Sequence, residues 1–487
     1  MPVDFDAPVR QPRARAAIVF SESNTKNLSM GNIQKLSILR ERHVEGKGIP
    51  YGTMAANELV TSFEKDPTMH ADEYRINATI TQELGTKSFD VESYINSGIF
   101  FARKWDLSNK KVASVIAHDW RALLSDIPYS LMYNGPGRTI ADEIVDILTE
   151  AGIPQEWYSV EGLTCSNSII MMHKTTCFKA IKQCLEADDG YAVCDNDGIV
   201  HFGSDNFYLN PESFGVPVKV LNGTNHILRG LENKIDTSSF CTAVKITWYT
   251  FSIAAEPVEV IRATENITLP PGQPDVFVNL FIKWLKEYDG VTEMNTAVVA
   301  VSPTEMTTHL VQSEQVKPEG ALIGLANDST TDPITVSLIT ATGKPVTATA
   351  HIYELTNPDA IATYGKIVHE IDNKLITSIA QAQKIASTIL ARYNTPHKLW
   401  HIPSRCDPTL LPGDVISIPD NAGGAIYVQI ESQNISFGLK GKGLSDVLIA
   451  RAYGADTTDQ IVSGSDNVQD GSGNNAVATT IGGIPHG

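Results

Sequence analysis

The sequence predicts a mainly β fold of the α+β class, and three observations support this. Many short runs alternate apolar and polar residues, as half-buried strands do, and turn residues separate them. Helical periodicity is confined to a few segments that carry capping residues at their ends. The chain has 487 residues, of which 42% are hydrophobic and 19% charged, an ordinary globular composition. Because a chain of this length is too long to fold around a single hydrophobic core, we expect about three or four domains.

The N-terminal quarter is predicted to be an arm followed by strands. Residues 1–16 place Arg10, Arg13 and Arg15 among prolines, which is typical of an arm that a neighbouring subunit must order. From Ala17 to Ser125 the β-like runs are Ala17–Phe20, Ile33–Leu39, Tyr74–Ile80, Phe89–Val91, Ile99–Arg103 and Lys111–Ile116. Short strands with turns between them favour an antiparallel barrel or sandwich.

A small α/β domain is predicted next. Thr139 is an N-cap residue before a helical apolar pattern that Gly152 and Pro154 close. A second helix is expected over Thr176–Ala187. Runs at Tyr191–Val193 and Ile199–Phe202 then predict a hairpin.

The turn of this hairpin, Asp195-Asn196-Asp197-Gly198, superficially resembles a calcium loop. The later glutamate of such a loop is missing at the required offset. We therefore interpret the segment as a hairpin turn.

Strands resume between Val216 and Thr250, and an inserted β-sandwich is predicted from Phe251 to Tyr364. Its expected strands, separated by Asn-Asp-Ser and Thr-Gly-Lys-Pro turns, are Ala297–Val301, Ala321–Leu325, Ile334–Ile339 and Val346–Ile352. Asp275–Tyr288 fits both a helix, through residues such as Phe277, Leu280 and Trp284, and a strand, through alternation from Val276 to Trp284. We favour the helix.

The segment Ile371–Ile418 predicts a helix, a strand, a turn and a second strand. Ser378 and Gln381 form a capping-box pattern at the start of the helix, and Pro396 prevents its continuation. Leu411-Pro412-Gly413-Asp414 supplies turn chemistry before a strand that begins at Val415.

Three segments together resemble one known family. Ile371–Ile418 resembles the tube-forming barrel of phage tail hub proteins. His118–Tyr129, which reads HDWRALLSDIPY, resembles the exit of the first barrel of that family, and Ile49–Leu59 resembles its early strand and glycine turn. The resemblance covers about half of the chain.

This resemblance implies two tube-type antiparallel β-barrels, and with the elements above it divides the chain. We expect an arm (1–16), a first barrel (17–130), a small α/β domain (131–215), a discontinuous second barrel (216–250 and 366–453), an inserted sandwich (251–365) and a C-terminal tail (454–487). The tail contains four aspartates and no lysine, arginine or aromatic residue, so it is expected to be flexible or ordered by a partner.

The implied function is structural. A homotrimer would present six barrel units, dock on a hexameric tail tube or distal tail protein, and receive a trimeric spike or tip protein on its threefold face. Residues 251–365 and the tail (454–487) are the expected contacts for wedge or fibre proteins. The expected location is the virion tail or baseplate of a phage or related contractile injection particle, after assembly in the host bacterial cytoplasm.

The net charge and the hydropathy of the sequence argue against binding to DNA and insertion into membranes. The formal net charge of −18 argues against binding DNA through clustered Lys and Arg, so DNA is expected only as passing cargo. An acidic channel would keep DNA from adhering, although solubility explains the same charge more simply. Met1–Arg15 contains no apolar run of a signal peptide, and no segment is apolar enough to cross a bilayer, so no membrane insertion is expected.

No catalytic, cofactor-binding or metal-binding residue is predicted, and the chain is not expected to be an enzyme. Gly135–Thr139 lacks the P-loop lysine and is interpreted as a turn plus cap, and Gly441-Lys442-Gly443 does not open a helix. The cysteines lack the short paired spacing of structural zinc sites, so zinc held with His173 or His201 is improbable. His118, His369, His397 and His401 occupy contexts in which packing is commoner than ligation.

One alternative of another class stays open: a cell-wall or polysaccharide-active tail enzyme, or a carbohydrate-binding module, that uses the inserted sandwich. Sugars stack on exposed aromatic faces, and Trp284, Tyr288 and Tyr353 are the candidates in that segment.

Overall fold

The fold was analysed in a computed structural model of the chain. It describes residues 11–21, 24–29, 31–42, 49, 51–65, 74–88, 91–204, 217–221, 231–264, 266–274, 276–281, 289–317, 320–419, 425–438, 443–452, 467–469 and 475–477. The mainly β architecture of the α+β class is confirmed. No helix among these residues is both long and apolar enough to span a bilayer.

The N-terminal strands form one antiparallel layer. They are β1 (Gln11–Ser21), β2 (Asn24–Leu28), β3 (Ile33–Glu41), β4 (Thr53–Met54), β5 (Glu58–Glu64), β6 (Thr79–Ser88), β7 (Val91–Asp106) and β8 (Val112–His118). All except β4 pair in the order β3-β5-β8-β7-β6-β1-β2, which we call the first half-sheet. Its alternating side chains, among them Ile38, Leu59 and Phe63, fill a first core.

The predicted N-terminal arm is too long by several residues. Residues 11–16 lie in β1 and pair with β6, from Gln11 opposite Lys87 to Ala16 opposite Gln82. Residues 1–10 lie outside the described residues. Strand pairing satisfies the backbone of this segment within its own chain, although three arginines and one proline fall in residues 10–15.

The small α/β unit follows the first half-sheet through a 3-10 turn at Trp120–Ser125. Its elements are β9 (Pro128–Thr139), α1 (Ile140–Glu150), β10 (Tyr158–Glu161), β11 (Ser166–Thr176), α2 (Cys177–Ala187), β12 (Gly190–Cys194) and β13 (Val200–Ser204). Both predicted helices and the β12–β13 hairpin are confirmed. Gly135 and Gly137 lie in β9 rather than in a turn, whereas Thr139 caps α1 as predicted.

The chain then runs through the inserted segment and back. Its next elements are β14 (Lys219–Val220), β15 (Glu232–Asp236), β16 (Ala243–Ile253), β17 (Val258–Ala263), β18 (Ile267–Leu269), β19 (Val276–Phe281), β20 (Gly290–Ser302), β21 (Leu310–Lys317), β22 (Gly320–Asn327) and β23 (Ile334–Thr356). There follow α3 (Pro358–Tyr364), β24 (Val368–Asp372), α4 (Ile379–Tyr393), β25 (His397–Ser404), β26 (Val415–Pro419), β27 (Ala425–Gly438) and β28 (Gly443–Ala452).

A second half-sheet repeats the strand order of the first. β15-β25-β28-β27-β26-β14 corresponds to β3-β5-β8-β7-β6-β1, and both sets are used in the same order along the chain. A β-bulge recurs at the same place, between Ala102 and Lys104 in β7 and between Ile430 and Ser432 in β27. The β14–β26 pair is parallel, whereas β1–β6 is antiparallel. The repeat is therefore one of topology, with divergence at its outer strand.

The two half-sheets are continuous. β27 pairs with β3 from Ser432 opposite Glu41 to Gly438 opposite Lys35, which joins all the described strands of both halves into one sheet of 13 strands. Within the described ranges neither half closes into a barrel of its own. β27 contributes Ile430 to a second core and Ile435 to the first. The two cores thus lie side by side on the same face of one sheet.

Two strands assigned to the second barrel from the sequence belong elsewhere. β16 and β24 pair with each other, and β16 also pairs with β23, in a sheet that is separate from the half-sheets. Val244 and Ile246 of β16 pack with α4 and the α/β unit. Tertiary packing, which local alternation does not report, decides the sheet to which these strands belong.

The inserted segment forms two sheets that share a core. β17, β18 and β20 pair with β23, and β19-β22-β21 form the other sheet. Ile323 of β22 packs with Val260 and Val336 of the first sheet. The predicted helix at Asp275–Tyr288 is wrong for residues 276–281, which form β19 paired with β22, so the period of two prevails over the helical period. Residues 282–288 lie outside the described residues.

The Thr-Gly-Lys-Pro turn is also wrong, because Thr342–Pro345 continue within β23. On one edge of β23, pairing with β17 ends at Gly343 and pairing with β16 begins at Val346, so the missing N–H of Pro345 breaks no ladder there. Gly343 is required by close packing, because a Cβ there would lie 2.4 Å from Cγ1 of Val291.

The C-terminal tail contributes two short strands within its own chain, β29 (Asn467–Gln469) and β30 (Asn475–Val477). β29 pairs with β23, from Ile352 opposite Gln469 to Glu354 opposite Asn467. The rest of the predicted tail beyond residue 453 lies outside the described residues.

Candidate functional site

The polar junction between the two cores is the candidate functional site, and Arg40 of β3 lies at its centre. Its Nη1 donates to the carbonyls of Pro408 (2.9 Å) and Leu410 (3.2 Å) and to Oε1 of Gln433 (3.2 Å). Its Nη2 donates to the Ser97 carbonyl (3.0 Å) and to Oδ1 of Asn196 (2.6 Å). One side chain therefore ties the first half-sheet, the α/β unit and the second half-sheet together.

The acceptors of Arg40 are neutral although its guanidinium is charged. The residue is 2% exposed, and burial lowers its pKa to about 10. A buried charge is tolerated only when hydrogen bonds replace its hydration. The junction thus holds a cation through dipoles that come from separate parts of the fold.

The tip of the β12–β13 hairpin supplies one of these dipoles. Asn196 accepts from Arg40 and also donates through Nδ2 to the Pro408 carbonyl at 3.0 Å. Asp195 Oδ1 accepts from the backbone N–H groups of Asp197 and Ile199, both at 2.9 Å, which fixes the turn. Trp120 Nε1 donates to the Gly198 carbonyl at 3.2 Å. The turn identified from the sequence is therefore a connector between domains.

A serine, a histidine and an aspartate lie in line beside this turn. Ser159 Oγ is 2.8 Å from Nδ1 of His201, and His201 Nε2 is 3.0 Å from Oδ2 of Asp195. The hydrogen bond with Asp195 raises the pKa of His201. Because Asp195 also holds the turn, we interpret the three residues as a tie from β10 to the hairpin tip.

A buried carboxylate stands on the other side of Gln433. Asp446 Oδ2 accepts from Gln433 Nε2 at 2.9 Å and from the N–H of Asp407 at 3.3 Å, and its Oδ1 accepts from Ser404. Burial raises the pKa of Asp446 to about 6. Lys219 of β14 pairs with Asp407. Gln433 therefore separates a buried cation from a buried anion.

Helix α4 is fixed to the α/β unit by a second buried contact. Arg392 donates to both carboxylate oxygens of Asp189, at 3.2 and 3.0 Å, and the two side chains are 3% and 5% exposed. Gln381 Nε2 also donates to the Ala187 carbonyl at 2.7 Å. The predicted helix is confirmed, and half of its capping box forms: Ser378 accepts from the Gln381 N–H, but Gln381 Oε1 accepts from Thr377.

The residues that carry the family resemblance have structural roles. Asp119 caps the 3-10 turn, accepts from the Asn57 N–H at 2.7 Å and pairs with the fully buried Arg121 at 2.6 Å. Tyr129 donates to Glu143 of α1 at 2.9 Å. Gly52 has φ of +57°, and a Cβ there would lie 2.4 Å from the Cα of Glu186. These motifs attach the first half-sheet to the α/β unit.

The histidines considered for ligation are dispersed. His118 Nε2 lies 3.4 Å from Oε2 of Glu58. His397 donates through Nε2 to the Arg392 carbonyl, and burial lowers the pKa of His397 to about 4. Burial also lowers the pKa of His369. Among the described residues, no three His, Cys, Asp or Glu side chains are grouped to hold a metal ion. Tyr353 is 2% exposed and cannot offer a ring to a sugar, and Trp284 and Tyr288 lie outside the described residues.

Sequence reasoning missed Arg40, Gln433 and Asp446. Each lies in a strand at a position that alternation assigns to the core face, and each is polar. A charged residue at a core position is a signal for a buried network, since such a charge needs partners. Three of the residues that accept from Arg40 (Pro408, Leu410 and Gln433) lie more than 300 positions away from it, which no local pattern reports.

The chain was compared with protein families, curated proteins and solved structures. No family model matches, and no curated protein matches. A tail protein from Neisseria meningitidis MC58 is 10% identical, with a TM-score of 0.49 over 91% of this chain and 96% of the other. The 43 kDa tail protein of prophage MuSo2 from Shewanella oneidensis is 11% identical, with a TM-score of 0.47 over 91% and 98%.

An E. coli component of the type VI secretion system is 10% identical, with a TM-score of 0.41 over 90% of this chain and 86% of the other. The first two are described as tail proteins, and the third is described as structurally similar to T4 bacteriophage tail proteins.

Proposed function

We propose that this chain is a non-enzymatic structural subunit of a phage tail or baseplate, acting as a trimeric hub. The observation that carries the proposal is the repeated strand order β3-β5-β8-β7-β6-β1 and β15-β25-β28-β27-β26-β14 within one chain. Two similar halves per chain allow three copies to present six similar units. A threefold assembly can then match a sixfold ring on one face and a threefold partner on the other.

The polar junction supports this role, because an adaptor must hold its halves at a fixed angle. Hydrogen bonds from Arg40 to Asn196 and Gln433 connect the two half-sheets to the α/β unit. Buried polar networks that are fully paired define one arrangement more sharply than apolar contacts do. The junction is therefore the part of the molecule that sets the geometry of the ring.

The partners proposed are a hexameric tail tube or distal tail protein and a trimeric spike or tip protein, with DNA passing through the ring as cargo. The inserted sheets and the C-terminal tail are proposed contacts for wedge or fibre proteins. The net charge of −18 fits a passage that does not retain DNA, since retention needs clustered cations. The particle is proposed to assemble in the bacterial cytoplasm and to locate to the virion tail.

Oligomeric state tests the proposal. Analytical ultracentrifugation of the full chain at micromolar concentration should give a trimer, and class averages from electron microscopy should show an open ring with six similar lobes around a channel. A monomer or dimer at micromolar concentration, alone and in tail particles, would contradict the hub. A peptidoglycan zymogram is the companion control, and clearing by the purified chain would support the enzyme alternative instead.

A further inference from the structure

The pairing of β27 with β3, which we call the internal joint, connects the two half-sheets. Among the described residues, the strands equivalent to these two, β7 and β15, do not pair with each other. In the joint, the far end of β27, beyond its bulge, pairs with the outer edge of β3. By the repeated strand order, β7 is equivalent to β27, and β15 is equivalent to β3. The corresponding joint would pair the far end of β7 with the outer edge of β15.

Both of these edges are open within the part of the chain that the structure describes. Pairing of β7 with β6 ends at Phe101, whereas β7 continues to Asp106. Among the described strands β15 pairs with β25 alone, and Ile235 on β15 is 62% exposed. An exposed strand edge of this kind is a template for pairing with another chain.

The repeat also fixes the register. The bulges align Lys104, Trp105 and Asp106 with Ser432, Gln433 and Asn434. Leu59 of β5 and Trp400 of β25 are equivalent, because they pair with equivalent alanines of β8 and β28. The residues that pair with Leu59 and Trp400 on β3 and β15 are therefore equivalent as well. This aligns Leu39, Arg40 and Glu41 with Lys234, Ile235 and Asp236. In the internal joint Ser432 faces Glu41, Gln433 faces Arg40 and Asn434 faces Leu39.

We infer that β7 of one copy pairs with β15 of the next copy in this register, so that Lys104 faces Asp236, Trp105 faces Ile235 and Asp106 faces Lys234 of the neighbouring copy. The outer two pairs join opposite charges and the middle pair joins two apolar side chains. The register follows from strand order, bulges and backbone pairing alone. The complementary charges are therefore an independent observation. Directly opposed pairs of opposite charge stabilise antiparallel strands, and like charges destabilise them.

Side-chain placement agrees with this joint. Lys104 and Asp106 are exposed, and Trp105 is half-buried, with its ring packed edge-on against Phe63 and Tyr74 in the first core. Ile235 would extend that apolar surface across the joint. The Asp236 side chain is 10% exposed, and its carboxylate lies 3.5 Å from Arg451 and accepts from Ser239.

The inference deepens the proposed function and rests on it, because head-to-tail joints of one kind close into a ring. It assigns the contact between copies to β7 and β15. A ring of three chains would alternate internal β27–β3 joints with intermolecular β7–β15 joints.

Disulfide trapping tests the register. In the full chain, Asp106→Cys with Lys234→Cys should give covalent dimers and trimers on non-reducing gels after mild oxidation. The matched control is Asp106→Cys with Glu232→Cys, two residues out of register, which should cross-link about tenfold less because diagonal neighbours lie about 7–8 Å apart. The wild-type chain measures the background from its own cysteines.

Charge exchange tests the joint without cysteine. Asp106→Lys alone and Lys234→Asp alone should each weaken trimer formation about tenfold, because each places like charges opposite one another. The double variant should recover wild-type trimer formation, and normal far-UV circular dichroism of each variant separates lost assembly from misfolding.

The outcomes separate the two proposals. A wild-type trimer without the in-register disulfide, or without rescue by the double variant, would overturn the β7–β15 joint and leave the hub intact. A wild-type chain that never trimerises would overturn both.

Discussion

The side-chain amide of Asn196 bridges the guanidinium of Arg40 and the carbonyl of Pro408, with distances of 2.6 and 3.0 Å. These residues belong to the hairpin tip of the α/β unit, the first half-sheet and the loop before β26 in the second half-sheet. Three regions that are far apart in sequence therefore meet through one side chain.

Asn196→Ala should destabilise the chain by about 2 kcal/mol, because a buried cation loses an acceptor and a buried carbonyl loses a donor. Chemical denaturation at pH 7 measures the change. Asp197→Ala is the matched control on the same turn: its carboxylate accepts from Asn96 at an exposed position, and its loss should cost less than about 1 kcal/mol. Equal losses from the two variants would argue against a bridging role for Asn196.

Asp446→Asn should change how stability depends on pH. Burial raises the pKa of Asp446 to about 6, above an unfolded value of about 3.9, so the folded state binds the extra proton between those values. The contribution of Asp446 to stability therefore falls as pH rises through that window, by about 3 kcal/mol in total. Asparagine does not titrate and lacks this contribution.

The measurement is the free energy of unfolding of wild type and Asp446→Asn at pH 4 and pH 8. From pH 4 to pH 8 the free energy of unfolding of Asp446→Asn should rise by about 3 kcal/mol relative to that of wild type. This expected rise does not depend on the difference between the two proteins at pH 4. Parallel curves would show that Asp446 stays ionised in the folded chain.

Gly52→Ala should destabilise the attachment of the first half-sheet to α2. A Cβ at residue 52 would lie 2.4 Å from the Cα of Glu186, so backbone must move. Gly272→Ala is matched in backbone conformation, with φ of +67° against +57°, and has no atom within 4 Å of its Cβ. We expect a loss of about 3 kcal/mol at residue 52 and about 1 kcal/mol at residue 272, read from thermal melts.

Asp189→Asn should be among the most damaging single changes, because it removes the carboxylate charge that pairs with the buried guanidinium of Arg392. Breaking one side of a buried ion pair costs about 3–5 kcal/mol. Glu370→Gln removes the exposed ion pair with Lys245 and should cost less than about 1 kcal/mol. A small effect of Asp189→Asn in urea denaturation would mean that solvent reaches Arg392.

Local patterns predicted the elements whose partners are near in sequence. Thr139 and Thr176 cap α1 and α2, and the Asp195–Gly198 turn joins β12 to β13, because capping and turn chemistry act within a few residues. Sheet membership was missed where it depends on distant partners, as for β16 and β24. The helix predicted at Asp275–Tyr288 is wrong where β19 forms. The apolar residues there fit both the helical period and the strand period of two, so the pattern alone did not decide between them.

The contacts of the candidate site depend even more on residues that are distant in sequence, so local patterns did not predict them. The sequence placed Asn196 in a turn but gave no reason to join it to Arg40. In the structure Arg40 and Gln433 lie on the buried faces of β3 and β27, and their contact follows only from the pairing of those strands.

The β27–β3 ladder also has a kinetic consequence. Ser37 and Asn434, which are hydrogen-bonded across it, are 397 residues apart. During synthesis, the outer edge of β3 lacks its partner until β27 has left the ribosome, and such late, non-local pairing slows folding. Nascent chains thus pass through a stage with an unprotected edge, at which chaperone capture competes with aggregation.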